Sequence, residues 1–184
     1  GLATGNFGAQ VSFDGGESWE ASPEDIRQFT VSTAGILLGS SATGIYRSTD
    51  GGVNFTQVYG EEATAVVYMT ESVAVAIAGD TLLRSSDGGQ SWTEATAALG
   101  RSKLYKVSEN TVLAWGRSGE PGNFDDRLLR SGDGGQSWQD VGTPAPEGVH
   151  SINASSGQDV TLAARSGDMY YSADAGASWT QSYN

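Results

Sequence analysis

Five aspartates of this 184-residue chain stand in nearly the same surroundings: Asp14 in SFDGGESW, Asp50 in STDGGVNF, Asp87 in SSDGGQSW, Asp133 in SGDGGQSW and Asp174 in SADAGASW. A carboxylate among hydroxyls and glycines suits three tasks: moving a proton, holding a hard cation through oxygen, or accepting bonds from its own turn. An active site is normally built once per domain, so five copies point first to architecture. A calcium loop of the D-x-[DN]-x-[DN]-G type needs several closely spaced carboxylates or amides, and these loops offer too few. Scaffolding is the expected role. Glycines such as Gly88 and Gly89 supply positive φ, Asp87 accepts backbone N–H groups in the manner of an Asx turn, and Ser85 and Ser91 add further bonds. The aromatic residue that closes each copy (Trp19, Phe55, Trp92, Trp138 or Trp179) opens the next strand, where its ring is expected to bury between neighbouring units.

Chemistry that occurs only once is concentrated in residues 115–127, WGRSGEPGNFDDR, which fall in the longest interval between repeats. Trp115 is the one tryptophan outside a repeat, and beside it stand Arg117, Phe124, Asp125, Asp126 and Arg127. An aromatic platform with charged neighbours stacks on sugar rings or anchors a protein interface while hydrogen bonds fix orientation. The alternative for Trp115 is that it fills the core from its strand, and the sequence leaves both open. These six residues are the candidate ligand site, carried on an expanded loop.

The elements that position these residues follow from the repeat period. The five aspartates lie 36, 37, 46 and 41 residues apart, a spacing that fits a four-stranded propeller blade. Within one period the chain reads as short alternating runs bounded by glycine, for example IRQFTVST, GILLGSS, GIYRSTD and NFTQVYG, with no competing helical pattern. The expected fold is all-β, a propeller of about five four-stranded antiparallel blades forming a single domain over 1–184, with approximate blades at 1–22, 23–61, 62–99, 100–144 and 145–184. The first stretch supplies no inner strand, so blade one is expected to be incomplete. Its open edge could take a strand from another chain. In such a meander the repeat hairpins share one face, and the connections that carry Arg27, Arg101, Arg117, Arg127 and Arg165 share the other. Arg47, Arg84 and Arg130, each three residues before a repeat aspartate, suit a solvated or a ladder role.

The repeated stretch resembles the Asp box, S-x-D-x-G-x-[ST]-[WF], also called the BNR repeat, of the sialidase-like propellers. All five copies fit, with Asn54 the one departure and Phe55 the one box without tryptophan. The resemblance implies the fold. Of function it implies several possibilities, because the same hairpin recurs in sialidases, xyloglucan-degrading glycosidases, sortilin-type receptors and photosystem assembly factors. An exo-sialidase, as the resemblance implies, needs an arginine triad, a tyrosine nucleophile with its glutamate and an acid aspartate. The Arg-Ile-Pro expected near the start is absent, and no catalytic position carries over.

Composition narrows the classes further. A formal charge of −12 with two lysines opposes binding to phosphate backbones, so nucleic acid and anionic membranes are set aside. Zero cysteines exclude thiolate catalysis and cysteine-rich zinc sites, and the single histidine, His150, excludes a histidine-rich metal site. No metal and no cofactor is expected. No apolar run approaches a bilayer-spanning length, so no membrane insertion is expected. The leading expectation is a non-catalytic recognition or assembly module with a glycan or protein ligand on the face opposite the boxes. The expected setting is extracellular, periplasmic or on a virion surface. The rivals are a fragment of a larger glycoside hydrolase or sialidase-like propeller, and a propeller like the photosystem assembly factors.

Overall fold

The computed structural model describes the backbone of residues 2–5, 8–12, 14, 16–22, 25–97, 101–120, 123–155 and 157–182. Side chains are described for 9–12, 14, 16–22, 25–96, 103–117, 126–155 and 157–182. The described residues form strands and turns without a helix. Blade one contains β1 (Leu2–Gly5), β2 (Gly8–Val11) and β3 (Glu20–Ala21). Blade two contains β4 (Ile26–Val31), β5 (Leu37–Ser41), β6 (Gly44–Ser48) and β7 (Thr56–Tyr59). Blade three contains β8 (Ala63–Tyr68), β9 (Ala74–Ala78), β10 (Thr81–Ser85) and β11 (Thr93–Ala97). Blade four is β12 (Arg101–Lys106), β13 (Val112–Glu120), β14 (Asn123–Ser131) and β15 (Gln139–Asp140), and blade five is β16 (Val149–Ala154), β17 (Val160–Ala164), β18 (Met169–Ser172) and β19 (Thr180–Ser182).

In every sheet the spatial order follows the chain order, which is the antiparallel meander of a propeller blade. The fold is therefore a β-propeller of about five blades, with the first lacking its inner strand. The inner strand carries a bulge at the same point in three blades, between Ile26 and Gln28, Ala63 and Ala65, and Val149 and Ser151. One extra residue there bends the strand where it enters the sheet. His150 is that extra residue in blade five, and it is exposed.

The chain divides into two compact units, Gly1–Gly79 with Leu83–Thr93, and Asp80–Leu82 with Glu94–Asn184. In the first unit one cluster joins Leu38 and Ile45 of blade two to Val66, Tyr68, Ala76 and Leu83 of blade three, and Trp92 packs against it. A second cluster gathers Ala9, Ile26 and Tyr46, with Phe29 and Phe55 against them. All five residues of β5 and of β9 are buried, because these strands are covered on both faces. In the second unit Leu113, Trp115 and Leu128 of blade four pack on Ile152, Val160 and Leu162 of blade five, with Trp179 alongside.

Candidate functional site

The box hairpins are built alike. In blade three the Ser85 hydroxyl donates to Asp87 Oδ1 (2.8 Å) and accepts from the Gly89 amide (2.9 Å). The Ser91 amide donates to Oδ1 (3.0 Å), and its hydroxyl donates to Oδ2 (2.5 Å). The same set recurs around Asp133, with Ser131, Gly135 and Ser137, and around Asp174, with Ser172, Gly176 and Ser178. In blade two Asn54 takes the place of the second serine, giving its amide (3.0 Å) and its side-chain Nδ2 (2.8 Å) to Asp50.

Both oxygens of each carboxylate are thus used inside the turn, and donors aimed at an ionised carboxylate hold its pKa down. The Ser91 hydroxyl and amide, then Ser85, lower Asp87 to about 2. Asn54 and Ser48 lower Asp50 to about 2, and Ser178 and Ser172 lower Asp174 to about 2. At Asp133 burial pushes upward, and the Ser137 and Ser131 bonds outweigh it to leave about 2. Asp14 is held well below the usual carboxylate range by Ser18 and Ser12. These carboxylates are engaged by the donors of their own hairpins. Trp19 departs from the expected burial: it is 40% exposed, and its indole donates back to Gly16 O (3.2 Å) within its own turn.

Two of the three arginines that precede boxes reach across to a neighbouring blade. Arg47 Nε donates to Gly88 O (3.0 Å) and Arg130 Nε donates to Ala175 O (3.0 Å), so each binds the box of the next blade.

The 115–127 stretch is not a loop. β13 runs to Glu120 and β14 begins at Asn123, a pair of nine-residue strands in continuous register, because alternating small and charged residues pair across the hairpin. Trp115 is 7% exposed and packs in the blade four and five core, with no acceptor for its indole N–H among the described residues. Arg117 and Asp126 are cross-strand partners joined by two bonds, Nε to Oδ1 (2.5 Å) and Nη2 to Oδ2 (2.7 Å). The Asp126 side chain is 6% exposed, and this fork supplies its charge compensation. Arg127 donates to Asp140 Oδ2 (2.9 Å) near the surface. Phe124 and Asp125 pair in the backbone with Gly119 and Ser118, and their side chains lie outside the described residues.

Reading the sequence missed Gly148. Its φ of +97° and the Arg117 guanidinium directly above it leave no room for a Cβ. Its carbonyl accepts from the Arg165 amide (2.9 Å). The available signal was positional: blades two and three carry Asp25 and Glu62 just before their inner strands, where blade five has glycine. Of the other arginines assigned to this face, Arg27 pairs with Glu62 (3.4 Å), Arg165 is exposed with no ion pair among the described residues, and the Arg101 side chain lies outside them. No cluster of three acidic or histidine side chains suited to a metal occurs among the described residues.

A sequence model of the photosynthesis system II assembly factor YCF48 family matches residues 66–184, and a BNR/Asp-box repeat model matches residues 10–21. The chain belongs to the YCF48 family of Asp-box propellers. No curated protein matches the sequence. Among solved structures, a GH74 xyloglucanase from Xanthomonas campestris is similar at 17% identity and a TM-score of 0.69, over 95% of this chain and 34% of the enzyme. An ancestral GH74 enzyme follows at 19% identity and a TM-score of 0.64, over 86% of this chain and 24% of that one. YCF48 from Cyanidioschyzon merolae matches at 15% identity and a TM-score of 0.55, over 98% of this chain and 79% of that protein. At these identities the likeness is one of fold. The chain spans about a third or less of the two GH74 enzymes.

Proposed function

We propose that this propeller is a non-catalytic protein-binding module and that the β13–β14 hairpin of blade four is its docking element. One observation carries the reading: the hairpin leaves the repeat pattern, and its base is locked by the Arg117–Asp126 fork over Gly148 and by Arg127 on Asp140. A rigid base on a scaffold strand presents the residues above it in a fixed geometry, and preorganised loops lose less entropy on binding. The family, named for an assembly factor, supports a protein as the partner rather than a glycan. A sugar platform is less well supported, since Trp115 is in the core. Asp126 is committed to Arg117 rather than to proton transfer, which favours binding over glycoside hydrolysis.

The test is a peptide array tiling the subunits of photosystem II, probed with the intact chain beside a glycan array. The same probes are run with a variant in which residues 118–125 are replaced by Asn-Gly. Peptide binding that the shortened hairpin loses, at unchanged melting temperature, supports the reading. Glycan binding alone, or peptide binding indifferent to the hairpin, overturns it.

A further inference from the structure

In blades two and five the outer strand runs beside the third strand almost to its start. β7 pairs with β6 at Ile45, Tyr46 and Arg47, and β19 pairs with β18 at Met169, Tyr170 and Tyr171. Blade four departs from this. β15 pairs with β14 only at Leu129 and Arg130, and one further bond runs from the Val141 amide to Leu128 O (2.9 Å). Since β14 begins at Asn123, residues 123–127 are paired to β13 on one side and have no strand on the other among the described residues.

Local chemistry ends the outer strand. The Gly142 amide donates back to Asp140 Oδ1 (2.9 Å), Gly142 takes a φ of +68°, and Pro144 and Pro146 follow, neither with an N–H to add to a ladder. Arg127 fastens Asp140, the last residue of that strand, just below the open stretch. The bond at Leu128 O fixes which groups are left over. In an antiparallel sheet the N–H and C=O of a strand turn to the same side at every second residue, so those of Asp126 and Phe124 point the way Leu128 O does, away from β13. No outer-strand bond reaches these four groups from the described residues.

We infer that the open edge of β14 is where a partner protein binds, by adding an extended, basic segment as a further strand beside residues 123–127. The inference rests on the docking role proposed for the hairpin and supplies its mode. A strand edge with unpaired N–H and C=O groups is a template for another strand, and the main-chain bonds give the affinity. Charge selects the occupant. Residues 115–127 hold three carboxylates (Glu120, Asp125, Asp126) against two guanidinium groups (Arg117, Arg127), and the whole chain carries −12, so the complementary segment is net positive. A second copy of this chain, equally acidic, is repelled.

The test probes the photosystem II peptide array with the intact chain and with Phe124→Pro. Proline at that position removes one outward N–H and no bond to β13. The expected result is binding of net-positive peptides, weakened about tenfold or more by the proline. Should the proline lower the melting temperature, the peptide carries the test instead: the tightest binder is resynthesised with alternate residues N-methylated, in each of the two phases. Strand addition predicts that one phase loses about tenfold or more in affinity while the other keeps it. Equal behaviour of the two phases overturns the inference, as does a preference for acidic peptides, or self-association of the chain that Phe124→Pro abolishes. Binding that is lost when residues 118–125 are replaced, yet survives Phe124→Pro and both N-methylated phases, leaves the docking hairpin standing and overturns the edge alone. An array on which no peptide binds overturns both.

Discussion

The Asp-box hairpins and the β13–β14 hairpin use the same ingredients, a carboxylate between antiparallel strands, to opposite ends. In the boxes each carboxylate is stabilised in its ionised form by neutral donors of its own turn, Ser85, Ser91 and backbone amides in blade three. In the long hairpin Asp126 takes a cation from the opposite strand, and the pair sits over a glycine of the next blade. In the first arrangement the carboxylate's bonds are complete within eight residues. The second needs two blades and occurs once among the described residues. A carboxylate satisfied inside its own turn recurs from blade to blade, whereas the Arg117–Asp126 fork depends on the glycine that one neighbouring blade supplies.

Acid gives the largest expected separation of the two. The box aspartates have folded-state pKa values near 2, below their unfolded values near 3.8. Their contribution is therefore fully present above about pH 4 and is lost as pH falls toward 2. Melting temperature followed from pH 7 down should hold until about pH 4 and then fall steeply, with blades two to five losing protection together. A melting temperature flat to pH 2 would mean the carboxylates do not hold the hairpins.

Next in size is Gly89→Ala. At a φ of +83°, with the added Cβ 2.5 Å from Leu38 Cδ2, strain and overpacking should together cost about 3 kcal/mol in urea unfolding. An effect under 1 kcal/mol would show the blade seam to be loose. Arg117→Ala should cost about 2 kcal/mol, less than a fully buried pair because the arginine is a fifth exposed, and should speed exchange in β13–β14 while leaving the boxes unchanged. Loss spread through every blade would erase the distinction between local and cross-blade designs.

The smallest effect is a gain. Ala175 occupies the fourth box position at a φ of +58°, where blades two, three and four use glycine. Ala175→Gly should stabilise by about 0.5–1 kcal/mol, measured by chemical denaturation, since removing the Cβ relieves left-handed strain and its carbonyl still accepts from Arg130. A loss instead would mean that its buried methyl contributes more than the strain costs.

The box network was legible residue by residue, because every donor lies within four residues of its aspartate and the spacing alone dictates the bonds. The meander and the missing inner strand were legible too, from the period of the repeat. The 115–127 stretch was legible only as an exception. Its composition marked it as singular, yet glycines at 116, 119 and 122 and proline at 121 suggested loop, while the ladder from Glu120 and Asn123 back to Val112 and Ser131 makes it strand. Trp115 shows why: whether a strand residue faces solvent or a neighbouring blade depends on what that blade places opposite it.

The sequence by itself determined the repeat, the blade and the closed carboxylate network, since each rests on contacts within one hairpin or on a period. Only the tertiary structure decided that Arg47 and Arg130 reach the next box and that Gly148 seats the Arg117–Asp126 fork. Those contacts join residues about 30 to 45 positions apart across a seam, and no local spacing encodes a distance that arises only when one blade is laid against another.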